Sequence, residues 1–132
     1  MHRDRWYMFV SPVVVDGQAP FALLFTAAQL LGPWLLHPAG CVSGDVRFAR
    51  SAGAVIRDGE RLIRVSQDCA KGYGHSIRFS AIELDEKSYE AKPYAQLLPE
   101  ALGDIGGVHT YNRVGDWEVI DARRLLPKSL VI

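Results

Sequence analysis

Glycine and proline interrupt this chain so often that no apolar stretch runs far. Among 132 residues there are 12 glycines and 7 prolines, set between short runs rich in β-branched and aromatic side chains. Runs of that length suit strands rather than helices, and the breakers between them carry turn chemistry. Arg5 to Val10 and Phe21 to Thr26 read as two strands, with the Asp16-Gly17 pair between them offering a hairpin turn. Gly53 to Arg57 and Arg61 to Val65 flank Asp58-Gly59-Glu60, a stronger hairpin signal of the same kind. Ser76 to Leu84 alternates, with Ile77, Phe79 and the pair Ala81/Ile82 against Ser76, Arg78 and Ser80. His109 to Val114 and Trp117 to Ala122 are split by Gly115-Asp116, which predicts another hairpin.

Two segments compete with a pure strand reading. Ala27 to Leu31 could turn once as a helix before Gly32-Pro33 stops it. Glu83 to Leu98 holds good helix formers, but Pro93 interrupts it; a strand end, a turn at Asp85 to Ser88, a short strand and a loop fit better. The count comes to about eight or nine short strands with no βαβ alternation. One all-β domain spanning residues 1–132 follows, as a sandwich, a barrel or part of a propeller.

Composition narrows the function classes. Fifteen basic residues balance fifteen acidic ones, with no block of like charge, so neither nucleic acid nor an anionic membrane is an expected partner. The most apolar region, Ala22 to Leu36, is broken by Gln29, Gly32 and Pro33 and falls short of the ~20 residues of a membrane span. No apolar leader follows the charged start Met1-His2-Arg3-Asp4-Arg5, and a cytoplasmic location is the expectation. Cys41 and Cys69 show neither metal-ligand nor redox spacing; two reduced, partly buried thiols are expected, with no metal and no cofactor.

Longer patterns point further. Phe25-Thr26-Ala27, then Leu30-Leu31-Gly32-Pro33-Trp34 and His37-Pro38, resemble a recurring blade ending of the arabinanase, invertase and levansucrase superfamily of five-bladed propellers. The series continues with Asp45 to Gly53, Asp58-Gly59, Leu62-Ile63-Arg64, Gln67-Asp68-Cys69, Tyr73-Gly74, His109-Thr110-Tyr111-Asn112 and Glu118-Val119-Ile120-Asp121. In that order it resembles the propeller domain at the N-terminus of glucosamine inositolphosphorylceramide transferases, over about Arg5 to Arg124. Ser51 stands where that domain usually has proline, and Val65-Ser66 where it usually has Pro-Ala. A five-bladed propeller needs about twice this much chain. The resemblance therefore implies about half of one: the last three strands of a blade, a complete antiparallel four-stranded blade from Gly53 to about Tyr94, and the first two strands of another.

The resemblance also implies a ligand, a carbohydrate or sugar phosphate at the channel mouth. Arg50, Arg64, Gln67, Asp68, Tyr73, His109, Tyr111 and Asp121 fall beside such positions and suit it chemically. Gln67 and Asp68 can fork onto vicinal hydroxyls, Arg50 and Arg64 can grip an anionic group, and a tyrosine can stack on a ring. Simpler roles compete: a backbone cap for Asp68, a structural hydrogen bond for His109, packing for Trp6, Trp34 and Trp117, and an anchor for Arg123 or Arg124 at Asp121. Glycosidic hydrolysis would need two carboxylates about 5–10 Å apart, drawn from Asp45, Asp68, Glu118 and Asp121. A Cys69 nucleophile would need His75 or His109 beside it. Half a propeller leaves strand edges open at Arg5 to Val10 and Trp117 to Arg123, so a homo-oligomer or a missing propeller half is the expected partner.

Overall fold

A computed structural model describes residues 1–12 and 18–124; the Asp16-Gly17 turn lies outside them. The described residues form ten strands and one short 3-10 helix. Three strands come first: β1 (Trp6–Val10), β2 (Ala22–Ala27) and β3 (Leu35–Ser43). They pair antiparallel in chain order as one sheet. Ala27 to Leu31 is not a helix: Ala27 ends β2, and Ala28 to Leu31 make a bend and a turn.

The second sheet holds β4 (Arg50–Ser51), β5 (Ile56–Asp58), β6 (Arg61–Asp68), β7 (Ser76–Leu84) and β8 (Tyr89–Leu97). From β5 it is a continuous antiparallel meander, with β4 added on the edge of β6. At the β5–β6 turn Asp58 pairs with Arg61, and Gly59 takes φ +60°, a conformation costly for a residue with a Cβ. The predicted strand at Gly53 to Arg57 is shorter than expected and starts only at Ile56. By contrast β8 is longer than a short strand and a loop. Among the described residues β8 pairs with β7 alone, and such an edge tolerates a residue without an N–H. The ladder shifts register between Phe79 and Ser80, next to Pro93.

After the 3-10 turn Pro99–Leu102, β9 (Gly107–Val114) and β10 (Trp117–Arg123) form a hairpin. The three sheets abut at two seams. Between the first and second, the buried His37 places Nε2 2.8 Å from the Asp85 carbonyl, Ser11 Oγ donates to the Ala49 carbonyl at 2.9 Å, and Phe9 packs edge-on against Tyr89. Between the second and third lies the main apolar cluster: Ala52, Ile56, Ile63, Val65, Ile77, Val108 and Tyr111. Ile77 and Val108 are 0% exposed, and burial of each side chain contributes about 1.5–3 kcal/mol. The Tyr111 amide donates to the Ala52 carbonyl at 2.8 Å and locks the hairpin onto the central sheet. Leu62 through Asp68 of β6 are all buried, because sheets cover both of its faces.

Cys41 is exposed and Cys69 partly buried, and both are free thiols; the expected burial of Cys41 is absent because β3 presents it outward. Trp117, expected to pack inside, is 79% exposed on β10, where no described element covers that face. Among the described residues no helix is long and apolar enough to cross a membrane.

Candidate functional site

The hairpin ladder is irregular at one point. Thr110 pairs with Asp121 and Val108 with Ala122, so His109 is the extra residue of a β-bulge. A bulge twists the strand and re-aims a side chain, here turning the imidazole toward the β6–β7 loop. Gln67 supports this from beneath: its side chain is buried, and its Nε2 donates to the His109 carbonyl at 2.8 Å. Close backbone packing at Gly107 brings the same loop near, since a Cβ there would sit 2.3 Å from the Gly74 carbonyl oxygen.

His109 Nδ1 lies 3.1 Å from Asp121 Oδ2, and Nε2 lies 2.5 Å from the Tyr73 hydroxyl. A carboxylate only accepts, so Nδ1 carries the proton, and Nε2 of a neutral ring accepts from Tyr73. Arg50 Nη2 donates to the Tyr73 oxygen at 3.3 Å, with its guanidinium 4.8 Å from the ring centre. Every donor in the series Arg50, Tyr73, His109, Asp121 thus points the same way, from a cation toward a carboxylate. Bonds so aligned polarise one another. Three members of the series, Tyr73, His109 and Asp121, border an open hollow of about 300 Å³, lined also by Gly74, Gly107 and Arg123. That is the low end of the range for ligand sites, about 300–1,000 Å³.

Of the eight residues expected at a site, Arg50, Tyr73, His109 and Asp121 therefore converge, with Gln67 fixing the backbone below His109. The other three do not join them. Alternation along β6 puts Arg64 and Asp68 on the opposite face from Gln67. Asp68 accepts from Arg78 Nε at 2.7 Å and from the Ala70 amide at 3.0 Å, so it caps the turn after β6 and anchors Arg78. Arg64 is 3% exposed and donates to the Phe48 and Ala49 carbonyls at 2.8 and 3.3 Å. Tyr111 is buried, with its ring edge-on to Phe79 and its hydroxyl donating to Glu118 Oε1 at 2.7 Å. Burial, followed by that bond to Glu118, pushes its pKa up to about 12.

The carboxylates considered for hydrolysis also disperse. Asp45 is held by Arg47 Nη2 at 2.6 Å, and this pairing keeps its carboxyl below the usual range. With Asp68 and Glu118 engaged as above, Asp121 is the one carboxylate lining the hollow among the described residues. Asp121 holds His109 rather than anchoring an arginine: Arg124 pairs with Asp104 at 2.8 Å and Arg123 reaches the Gly106 carbonyl. The Cys69 thiol donates to Gln67 Oε1 at 3.1 Å rather than meeting a histidine. Among the described residues no three His, Cys, Asp or Glu side chains gather as metal ligands.

The hollow also uses two residues that were not expected to line a site. Gly107 and Arg123 line it, and only the register of β9 on β10 brings them to Tyr73. No protein-family model, curated protein or solved structure matches the chain.

Proposed function

We propose that this chain is a partial propeller module that binds a carbohydrate or sugar phosphate at the Tyr73–His109–Asp121 hollow. The observation that carries the reading is the aligned series from Arg50 to Asp121, whose Tyr73, His109 and Asp121 line a cavity sized for one sugar ring while Arg50 stands behind Tyr73. Asp121, whose Oδ1 is not used by His109, supplies an acceptor for ring hydroxyls, Tyr73, 55% exposed, an aromatic surface, and Arg50 a fork for a phosphate. The strand arrangement supports the propeller half of the reading. Three strands, then a four-strand meander with a short edge addition, then a two-strand hairpin follow the division implied by the blade motifs.

Among the described residues a single carboxylate lines the hollow, which favours binding over two-carboxylate glycoside hydrolysis. A second reading, an enzyme completed by assembly, is favoured by one feature: a tyrosine hydroxyl hydrogen-bonded to an oriented imidazole is a proton-transfer arrangement. A glycan-array screen followed by calorimetric titration of a hexose phosphate tests the binding reading. Arg50→Ala and Asp121→Asn are each expected to weaken hexose-phosphate binding about tenfold. Absence of any glycan or hexose-phosphate binding, or affinity unchanged in both variants, would overturn it.

A further inference from the structure

Among the described residues, the seam between the first and second sheets holds a charge without a counter-charge. Three guanidinium groups surround this region: those of Arg47 and Arg78 lie 5.7 and 5.4 Å from the Phe48 ring centre, and Arg64 reaches the Phe48 carbonyl from below. Arg47 is matched by Asp45 and Arg78 by Asp68. Arg64 is not: none of the ion pairs among the described residues includes it. It is nonetheless the most buried of the three, and that burial lowers its pKa from the ordinary arginine value. Two main-chain carbonyls and the Phe9 ring, whose centre is 4.9 Å away, offset part of the desolvation cost. They do not neutralise the charge, and a buried unpaired ion is costly.

Two polar atoms beside it are also unused. Among the described residues Arg64 Nε and the Tyr89 hydroxyl are both buried and close no hydrogen bond of good geometry, although the guanidinium lies near enough to the phenol oxygen to oppose the rise that burial gives its pKa. Both belong to side chains lining one hollow of about 200 Å³, together with Ser43, Phe48 and Ser80. Arg64 Nε can only donate, and the phenol has its proton free to donate. The hollow thus has a fixed positive charge, spare donors and no anionic acceptor of its own among the described residues. What it lacks is an acceptor carrying negative charge.

We propose that this hollow is a second binding site, specific for a small oxyanion, a phosphate or carboxylate group, held by Arg64 and Tyr89. It is separate from the His109 hollow, because Arg64 and Gln67 leave β6 on opposite faces. At 200 Å³ it admits the anionic head of a ligand and little more, with any remainder of the molecule emerging past Ala91 and Pro93 on the exposed edge strand β8.

Calorimetric titrations of the full chain with inorganic phosphate and with acetate, at constant ionic strength set by chloride, test the site. The expected result is saturable binding of one or both anions, retained in Arg50→Ala and weakened at least threefold in Tyr89→Phe. Arg64→Lys should weaken it further by losing the planar fork; if that variant fails to fold, Tyr89→Phe still decides, since it keeps the ring and removes only the hydroxyl. Phosphate alone binding assigns the site to a phosphoryl group, and acetate binding assigns it to carboxylates. No saturable binding of either anion would overturn the proposal. So would binding lost in Arg50→Ala, or binding unchanged in Tyr89→Phe.

Discussion

Asp68 shows how one side chain can look like a ligand contact and serve the fold. Its carboxylate is 5% exposed and closes two bonds, to the Ala70 amide two residues on and to Arg78 Nε on the neighbouring strand β7. Asp68→Ala should destabilise the protein by about 2–3 kcal/mol in urea unfolding, less than for a fully buried pair because Arg78 stays partly solvated. Hexose-phosphate affinity should not change; a loss there would put Asp68 back at the ligand. Tyr111 makes a second residue-scale case. Its folded-state pKa of about 12 lies above the ordinary 10.0, so the neutral phenol is favoured by folding. The stability this contributes is complete below pH ~10 and disappears as pH rises from there through ~12. Tyr111→Phe should flatten that alkaline decline in stability-versus-pH curves, and an identical slope in the variant would refute the assignment. Residue type alone did not separate these tasks. Arg50, Tyr73, His109 and Asp121 suit a ligand by the same chemistry as Arg64, Asp68 and Tyr111, and position alone separates them: strand parity along β6 turns Arg64 and Asp68 away from Gln67, and the bulge at His109 re-aims its ring relative to Tyr111. On β6 that parity is hidden, because Leu62 to Asp68 are buried on both faces and the usual polar–apolar alternation is absent.

At the scale of elements, the hairpins at Asp58-Gly59 and Gly115-Asp116 were legible, since glycine at positive φ is a local requirement; Gly115 takes φ +59°. So was Ser76 to Leu84, the one long alternating run, whose limits are those of β7. The full length of β8 was not, because Pro93 and helix-favouring neighbours mask a strand whose order comes from pairing with β7. Nor was the bulge at His109, which exists only as a mismatch between two ladders. The hollow depends on how closely the start of β9 approaches the loop that carries Tyr73 and Gly74. Gly107→Ala would bring a methyl group into the Gly74 carbonyl and force the loop outward. Hexose-phosphate affinity should fall about tenfold while urea unfolding shows a cost of about 1–3 kcal/mol, the usual range for overpacking. Unaltered binding in Gly107→Ala would mean that Tyr73 and His109 need not be held together.

At the scale of the molecule, the outer face of the hairpin is the exposed liability. Val114, Trp117 and Val119 are 76%, 79% and 63% exposed, and Val114 and Trp117 are direct cross-strand partners. Among the described residues β10 pairs only with β9, leaving an open edge beside this apolar strip, a combination that favours association. We expect sedimentation at micromolar concentration to give about twice the chain mass of 14.6 kDa. Val119→Lys should return it to the monomer; a wild-type monomer would remove the second copy from the picture. The seam between β6 and the hairpin has another consequence, for the order in which the structure opens. The amides of β6 and β7, flanked by strands on both sides, should exchange hydrogen only through global unfolding, whereas the two-stranded hairpin can detach at lower free energy. Tyr73 hangs from the slow part and His109 with Asp121 from the fast part, so on warming the binding hollow should come apart before the central sheet melts.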